Sequence, residues 1–162
     1  MKLFITLLLL VSATLEQQAG ISEIRSYYLK AAEQEAAANT LMKVTTKSDI
    51  SDPLMYGYRA AAHMMIAKHV GNPFKKLSNF NKGKEIFSKA IEADPSNVEL
   101  RFLRFSVQAE APAFLNYKQN LEEDKRILLN GTPQIEDAEL QKIIRDYLIS
   151  SKELSNLEKE KL

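Results

Sequence analysis

The stretch from Asn79 to Glu110 constrains the fold of this chain more than any other part of it. Its first half repeats apolar or small residues at helical spacing, and its second half is apolar on two sides. Pro95 separates the halves, because proline cannot donate a helical hydrogen bond and disfavours helical geometry at the residue before it. Ser96 and Glu99 then fit a capping box. The stretch therefore predicts two helices folded back on each other.

Two apolar stripes run along the second of these helices. A helix at the surface of a domain needs only one such stripe, so two stripes indicate neighbours on both sides. The first stripe consists of Val98, Phe102, Phe105 and Ala109, and the second of Leu100, Leu103 and Val107. We expect this helix to lie inside a stacked array of helices.

Residues 1–19 have the composition of a secretory signal peptide. Lys2 is followed by a nearly continuous apolar run, and Ala13 and Ala19 offer two cleavage sites. The run is shorter than the roughly 20 apolar residues that a membrane span needs. A helix of the core is the alternative interpretation of this segment. The sequence thus predicts an exported protein, periplasmic or secreted, without a stable membrane anchor after cleavage.

The chain contains no cysteine. A lipid anchor on an N-terminal cysteine and stabilisation by disulfide bonds are therefore excluded. The 22 basic and 21 acidic residues nearly balance, which gives no general attraction to nucleic acid. Few glycines and prolines and many Ala, Leu, Lys and Glu residues favour an all-α fold.

Periodicity and helix-ending residues divide the remaining chain into further helices. We expect a single domain over residues 20–149, with about six helices, and a charged tail over residues 150–162 that frays. The connection 72–78 is expected to place its apolar residues against the core. The expected helices outside the central pair run from Ile21 to Val44, from Pro53 to Val70, from Pro112 to Leu129, and onwards from Thr132-Pro133.

Three residues of the central stretch, Phe87, Ala90 and Pro95, have the large, small and proline spacing of the second half of a tetratricopeptide repeat. Tyr56-Gly57 and Ala60 match its first half, separated from the second by a long connection. The chain thus resembles the tetratricopeptide-repeat family over about a third of its length. The resemblance implies antiparallel helical hairpins stacked as a short right-handed α-α array.

A longer run from His63 to Ile91, together with RFLRFSVQ and NLEEDK further on, is similar to a group of exported helical proteins of Bacteroidetes. This resemblance implies an extracytoplasmic protein of tetratricopeptide-like fold. It brings no catalytic residues with it.

Asp124 is a carboxylate on an apolar helix face, where a charge is costly unless it is paired. The polar arc of the preceding helix offers Arg101 and Arg104 as partners. We expect Asp124 to pair with one of them, and a structural ion pair is one interpretation of the cluster. The other is that the arginine left unpaired lines a concave groove, as polar residues do in tetratricopeptide-like arrays. Further candidates for this groove are Lys68, His69, Asn97 and Gln108.

The two histidines, His63 and His69, are six residues apart on one predicted helix. That spacing points them in different directions, so they cannot share one metal ion. We predict no metal site and no cofactor. The favoured function is a non-enzymatic exported module that binds a peptide or a partner protein in a polar groove. The alternative is an envelope enzyme of hydrolase type whose site the sequence does not reveal.

Overall fold

A computed structural model describes residues 20–162, and this range contains eight α-helices, two 3₁₀ turns and no β-strand. The all-α prediction is confirmed. The predicted signal peptide and its cleavage sites lie outside the described residues. Helix α1 covers residues 20–31, and the later helices are α2 (Glu35–Thr45), α3 (Pro53–His69), α4 (Pro73–Ala93), α5 (Val98–Glu110), α6 (Leu121–Gly131), α7 (Ala138–Ser150) and α8 (Asn156–Lys159).

Helix α5 lies at the centre of the domain. Every residue from Glu99 to Gln108 is buried, including Leu100 and Leu103, which have no exposed surface. The helix contacts α3, α6 and α7, and its Phe102 ring meets Tyr28 of α1. The prediction of neighbours on both sides is confirmed.

The helix pair with the most extensive contact is α3 and α4. A Cβ added at Gly83 of α4 would lie 3.0 Å from the carbonyl oxygen of Ala60 on α3, so the missing side chain allows this approach. Helix α5 contacts α3 more extensively than it contacts α4, which precedes it in the chain. Helices α4 and α5, which the sequence predicts to fold back on each other, are thus in contact. The main partner of α4, however, is α3.

The expected helix from Ile21 to Val44 is broken at residues 32–34, which separate α1 from α2. The amide of Gln34 donates to the carbonyl of Lys30 at 2.9 Å and closes a turn there. Helix α1 packs on α5 and α2 packs on α3. The break lets the two segments contact different helices, so we attribute it to tertiary packing, which overrides the high helix propensity of this Ala-rich segment.

The segment 72–78 was expected to be a connection packed on the core, and this is wrong. Pro73 begins α4, and the side chain of Asn72 accepts hydrogen bonds from two amides of the first turn. Phe74 and Leu77 are exposed. Proline at the first helical position, after an asparagine cap, explains why the helix starts early.

The capping box expected at the start of α5 does not form either. Asn97 caps the helix by accepting from the amide of Leu100 at 2.9 Å, whereas Glu99 is buried in an ion pair. Asp137 caps α7, so this helix begins at Ala138 rather than at Thr132-Pro133. Both helices do begin after a side-chain cap. Asn97 caps α5 in place of Ser96, and Asp137 caps α7 a few residues after Thr132-Pro133.

A helix from Pro112 to Leu129 was expected, and only its second half forms. Residues Ala113–Leu115 make a 3₁₀ turn, and Asn116, with φ 45°, takes a left-handed conformation that ends it. Tyr117, Leu121 and Leu128 are buried as expected, whereas Phe114 is exposed. The left-handed residue turns the chain away from helical geometry before α6.

The segment from Ser150 onwards, for which the sequence predicts fraying, packs on the domain. Leu154 is buried, and Ser155 with Glu158 forms a capping box at α8. Lys125 of α6 lies 3.5 Å from the Glu158 carboxylate. One apolar side chain and a few charged contacts therefore hold this end of the chain.

Gly57 on α3 offers a test of how closely α5 is packed. A Cβ at this position would lie 2.1 Å from Cδ1 of Leu100, which is fully buried. We predict that Gly57→Val lowers the free energy of unfolding by about 1–3 kcal/mol, because overpacking displaces α5. Urea denaturation followed by circular dichroism measures this. Gly71→Val is the control, since nothing lies within 4 Å of its Cβ position. Equal losses in both variants would contradict the packing described here.

Candidate functional site

Asp124 of α6 pairs with both arginines of α5. Its Oδ1 lies 2.9 Å from Nη1 of Arg101, and its Oδ2 lies 2.7 Å from Nε of Arg104. Nη2 of Arg104 donates to Oδ1 at 2.7 Å. The carboxylate is fully buried and both guanidiniums are nearly so. The predicted pairing is therefore present, with two partners instead of one.

Neither arginine is left free to line a groove. Arg101 also donates to the carbonyl of Pro95 at 2.9 Å and to Glu123 at 3.1 Å. The guanidinium of Arg101 thus ties the turn before α5 to the first turn of α6. The hypothesis of an unpaired arginine is wrong, because the single carboxylate Asp124 accepts from both side chains. This cluster joins α5 to α6 within the core.

The other residues expected in the groove on α5 also have structural roles. Asn97 caps the helix and its amide nitrogen donates to Asp94 at 3.0 Å. Gln108 is fully buried, with its amide nitrogen 3.5 Å from Oδ1 of Asn120. Because Asn97 is engaged at the start of the helix and Gln108 is buried, the structure does not bring the seven candidates together as one binding surface.

Lys68 and His69 lie at the end of α3, away from the arginine cluster. Nε2 of His69 donates to the carbonyl oxygen of Ala31 at 2.7 Å, which satisfies a carbonyl at the end of α1. Lys68 is exposed, and its Nζ lies 3.8 Å from the carboxylate of Glu33 in the turn between α1 and α2. His69 thus stabilises the break between α1 and α2, and Lys68 makes only an exposed contact there.

His63 is buried between α3 and α4. Its Nδ1 lies 2.9 Å from Oδ1 of Asn79, whose amide nitrogen donates to the carbonyl of Lys75. The Asn79 oxygen therefore faces the ring as an acceptor, and Nδ1 carries the proton. Burial lowers the pKa of His63 from its usual 6.5, more than the hydrogen bond to Asn79 raises it.

A second buried charge cluster, which the sequence analysis missed, joins α1 to α5 and α7. Nε of Arg25 lies 2.7 Å from Oε1 of Glu99, and its Nη1 lies 2.7 Å from Oδ2 of Asp137. The hydroxyl of Tyr58 donates to the same Glu99 oxygen at 2.6 Å. Arg25 precedes Tyr28 by three residues and shares its buried face, which was the available signal in the sequence.

The pKa values in this cluster follow from the pairing. Burial disfavours the charge on Arg25, but hydrogen bonds to Glu99 and Asp137 outweigh it and raise the pKa of Arg25. Burial raises the pKa of Asp137, but Arg25 and the backbone amides of Leu140 and Glu139 together lower it more, so the pKa ends below its usual value. Burial, with the charge of Glu99, holds the pKa of Tyr58 well above 10.0. Arg25, Asp137 and Tyr58 are thus each stabilised in the form that makes these contacts.

A groove open to solvent lies between α1 and α7. Leu29 and Ile143 are its two apolar residues, and charged side chains of both signs surround them. Glu139 at one end of the groove accepts hydrogen bonds from Ser22 and Arg25. The residues that line the groove are Ser26, Leu29, Lys30, Glu139, Lys142, Ile143 and Asp146.

A second depression lies between α6 and α8 and is lined mostly by charged residues. Lys125 at its centre is in ion pairs with Glu122 and Glu158. Over residues 20–162, no group of three or more acidic and histidine side chains is arranged to hold a metal ion. No helix in that range is both long and apolar enough to cross a membrane.

Comparison of the chain with protein-family models, curated proteins and solved structures finds no match.

The buried pairing of Asp124 leads to a prediction about stability. Asp124→Asn keeps the shape of the side chain but leaves two buried guanidiniums without their carboxylate. We expect the free energy of unfolding to fall by about 3–5 kcal/mol. Urea denaturation of the purified variant measures the loss. Glu123→Gln is the matched control, because Glu123 touches the same arginines from a side chain that is 46% exposed, and it should cost less than about 1 kcal/mol. A loss for Asp124→Asn no larger than that of the control would refute the role assigned to the carboxylate.

The lowered pKa of His63 predicts a pH dependence of stability. The unfolded chain takes up a proton near the usual pKa of 6.5, whereas folded His63 does so only at lower pH. Stability should therefore decrease as the pH falls below 6.5, because the unfolded state binds more protons there. His63→Gln should flatten this part of the curve. Urea midpoints measured between neutral and mildly acidic pH test it, and an unchanged slope in the variant would contradict the prediction.

Proposed function

We propose that this chain is an exported, non-enzymatic interaction module that binds a peptide or partner protein. Its helices are proposed to follow a tetratricopeptide-like, right-handed array. The close α3–α4 pair, the α5–α6 pair and the packing of α5 on α3 support that arrangement. The composition of residues 1–19 and the resemblance to exported proteins of Bacteroidetes support export to the periplasm or beyond the cell.

The proposed binding site is the groove between α1 and α7. In a tetratricopeptide-like array the inner face of helices such as α5 would be open, but here α1 and α7 cover it. The groove that remains open exposes the apolar side chain of Leu29 beside Ile143. Lys30, Lys142 and Asp146 stand around them. This chemistry suits a peptide that inserts one apolar side chain and presents charges on both sides of it.

The proposal rests on a difference between the interior and this groove. Ionisable groups in the interior are engaged with other parts of the fold, whereas the groove exposes an apolar side chain to solvent. Inside the domain, Glu99 and Asp124 are each bound by arginines. His63 and His69 are bonded to an amide oxygen and a backbone carbonyl instead of a carboxylate. The buried ionisable groups are thus engaged in holding helices together, which favours binding over the alternative of a hydrolase-type envelope enzyme.

Site-specific photocrosslinking tests the proposed site. A photoreactive phenylalanine analogue in place of Leu29 should give a discrete crosslinked product in intact cells, because this side chain faces the bound partner. The same analogue in place of Ile50, which is similarly exposed in the loop between α2 and α3, should not. Gel shifts followed by mass spectrometry of the product measure the difference.

A second substitution connects the product to the groove. Ile143→Asp in the Leu29 reporter should reduce the product about tenfold, because it places a charge on the apolar floor. Identical products from the Leu29 and Ile50 positions, or an undiminished product with Ile143→Asp, would count against the groove.

A further inference from the structure

The first two turns of α4 form a surface that the fold does not require. Every residue from Gly71 to Ser78 is exposed, and the first buried residue of the helix is Phe80. Lys76 lies seven residues before Gly83 and so on the same helix face, yet Gly83 is buried and Lys76 is not. The start of α4 is therefore in contact with solvent on every side.

Large apolar side chains are exposed in this region. Phe74 is 83% exposed and Leu77 is 52% exposed. Phe114, 84% exposed, lies in the segment that packs on α4 through Tyr117, whose ring centroid is 5.4 Å from that of Phe80. Leu77 lies one helical turn before Phe80, and Phe114 lies three residues before Tyr117 in the chain. We call Phe74, Leu77 and Phe114 the apolar tip.

The charge along the start of α4 has one sign. Residues 71–84 contain four lysines and no acidic residue. Lys75, Lys76 and Lys82 are exposed and make no ion pair within residues 20–162. Nζ of Lys84 lies 5.5 Å from the centroid of the Phe80 ring and 5.6 Å from that of Tyr117. The positive end of the helix dipole adds to this potential.

We propose that the apolar tip and its lysines attach the protein to the surface of an anionic lipid bilayer. Lysines next to exposed aromatic and aliphatic side chains match the headgroups and the outer acyl region of such a bilayer. Phe74 and Leu77 lie on a helix end surrounded by solvent rather than in a groove, so they can insert into lipid, whereas a protein partner would need a matching pocket. The attachment is peripheral and separate from the groove between α1 and α7.

Single tryptophan reporters test the proposal, because the chain has no tryptophan of its own. The probe is vesicles of phosphatidylcholine and phosphatidylglycerol in about equal amounts, with pure phosphatidylcholine as the neutral comparison. Full-length protein carrying Phe74→Trp or Phe114→Trp should show blue-shifted emission and quenching by brominated acyl chains with the anionic vesicles. Leu157→Trp, at a position 73% exposed near the C-terminus, is the matched control and should show neither.

Charge reversal separates this surface from any other contact of the chain with lipid. In the Phe74→Trp background, Lys75→Glu with Lys76→Glu should weaken vesicle binding about tenfold or more. Lys43→Glu with Lys47→Glu changes the net charge equally at exposed positions of the α2 region and should have much less effect. The proposal is overturned if the Phe74 reporter is neither shifted nor quenched, if the Leu157 reporter responds equally, or if both charge pairs have the same effect. The proposal is also overturned if the Phe74 reporter responds to an added acidic protein but not to the anionic vesicles.

Discussion

Three charged side chains of α5 point into the interior, and their need for partners determines which helices surround it. Glu99 is paired with Arg25 of α1, while Arg101 and Arg104 are paired with Asp124 of α6. An arrangement that left any of these charges unpaired would cost several kcal/mol, whereas apolar contacts tolerate many alternative packings. Apolar burial thus drives the helices together, and the ion pairs select their neighbours. Arg25 extends this selection to α7 through Asp137.

A feature of this structure could be predicted from the sequence when the residues that cause it are close together in the chain. Two apolar stripes on α5 were sufficient to predict its burial, and a carboxylate on the apolar face of α6 was sufficient to predict the pairing of Asp124. Glu99 was assigned to a cap because that local explanation was available, whereas its true partner is 74 residues away in the chain. The break after α1 has no glycine or proline signal and depends on packing, including the bond from His69 to Ala31. Sequence periodicity also cannot show that Phe74 and Phe114 remain exposed.

The charged groups of the interior are paired with each other, so the candidate binding surfaces lie on the outside of the domain. His69, Asn97 and Arg101 were candidates for binding because polar residues within a helical array often line grooves. In the structure each of them satisfies a backbone carbonyl, an amide or a carboxylate. A polar residue near the core is therefore ambiguous until its partners are known, since the same hydrogen-bonding capacity serves either a ligand or the fold. The groove between α1 and α7 and the apolar tip remain as candidates because Leu29, Phe74 and Phe114 expose large apolar side chains there.

The start of α4 also shows that local interactions can stabilise helical turns that are not buried. A helix end that buries nothing gains no stability from the core, and its first turns would be expected to fray. Here Asn72 accepts two amide hydrogen bonds and Pro73 fixes the first helical residue, so local interactions stabilise these turns. Phe74 and Leu77 are thereby held on a rigid scaffold instead of a mobile loop. A preorganised surface loses less conformational entropy when it binds, which is the physical advantage of ordering residues that the fold does not otherwise use.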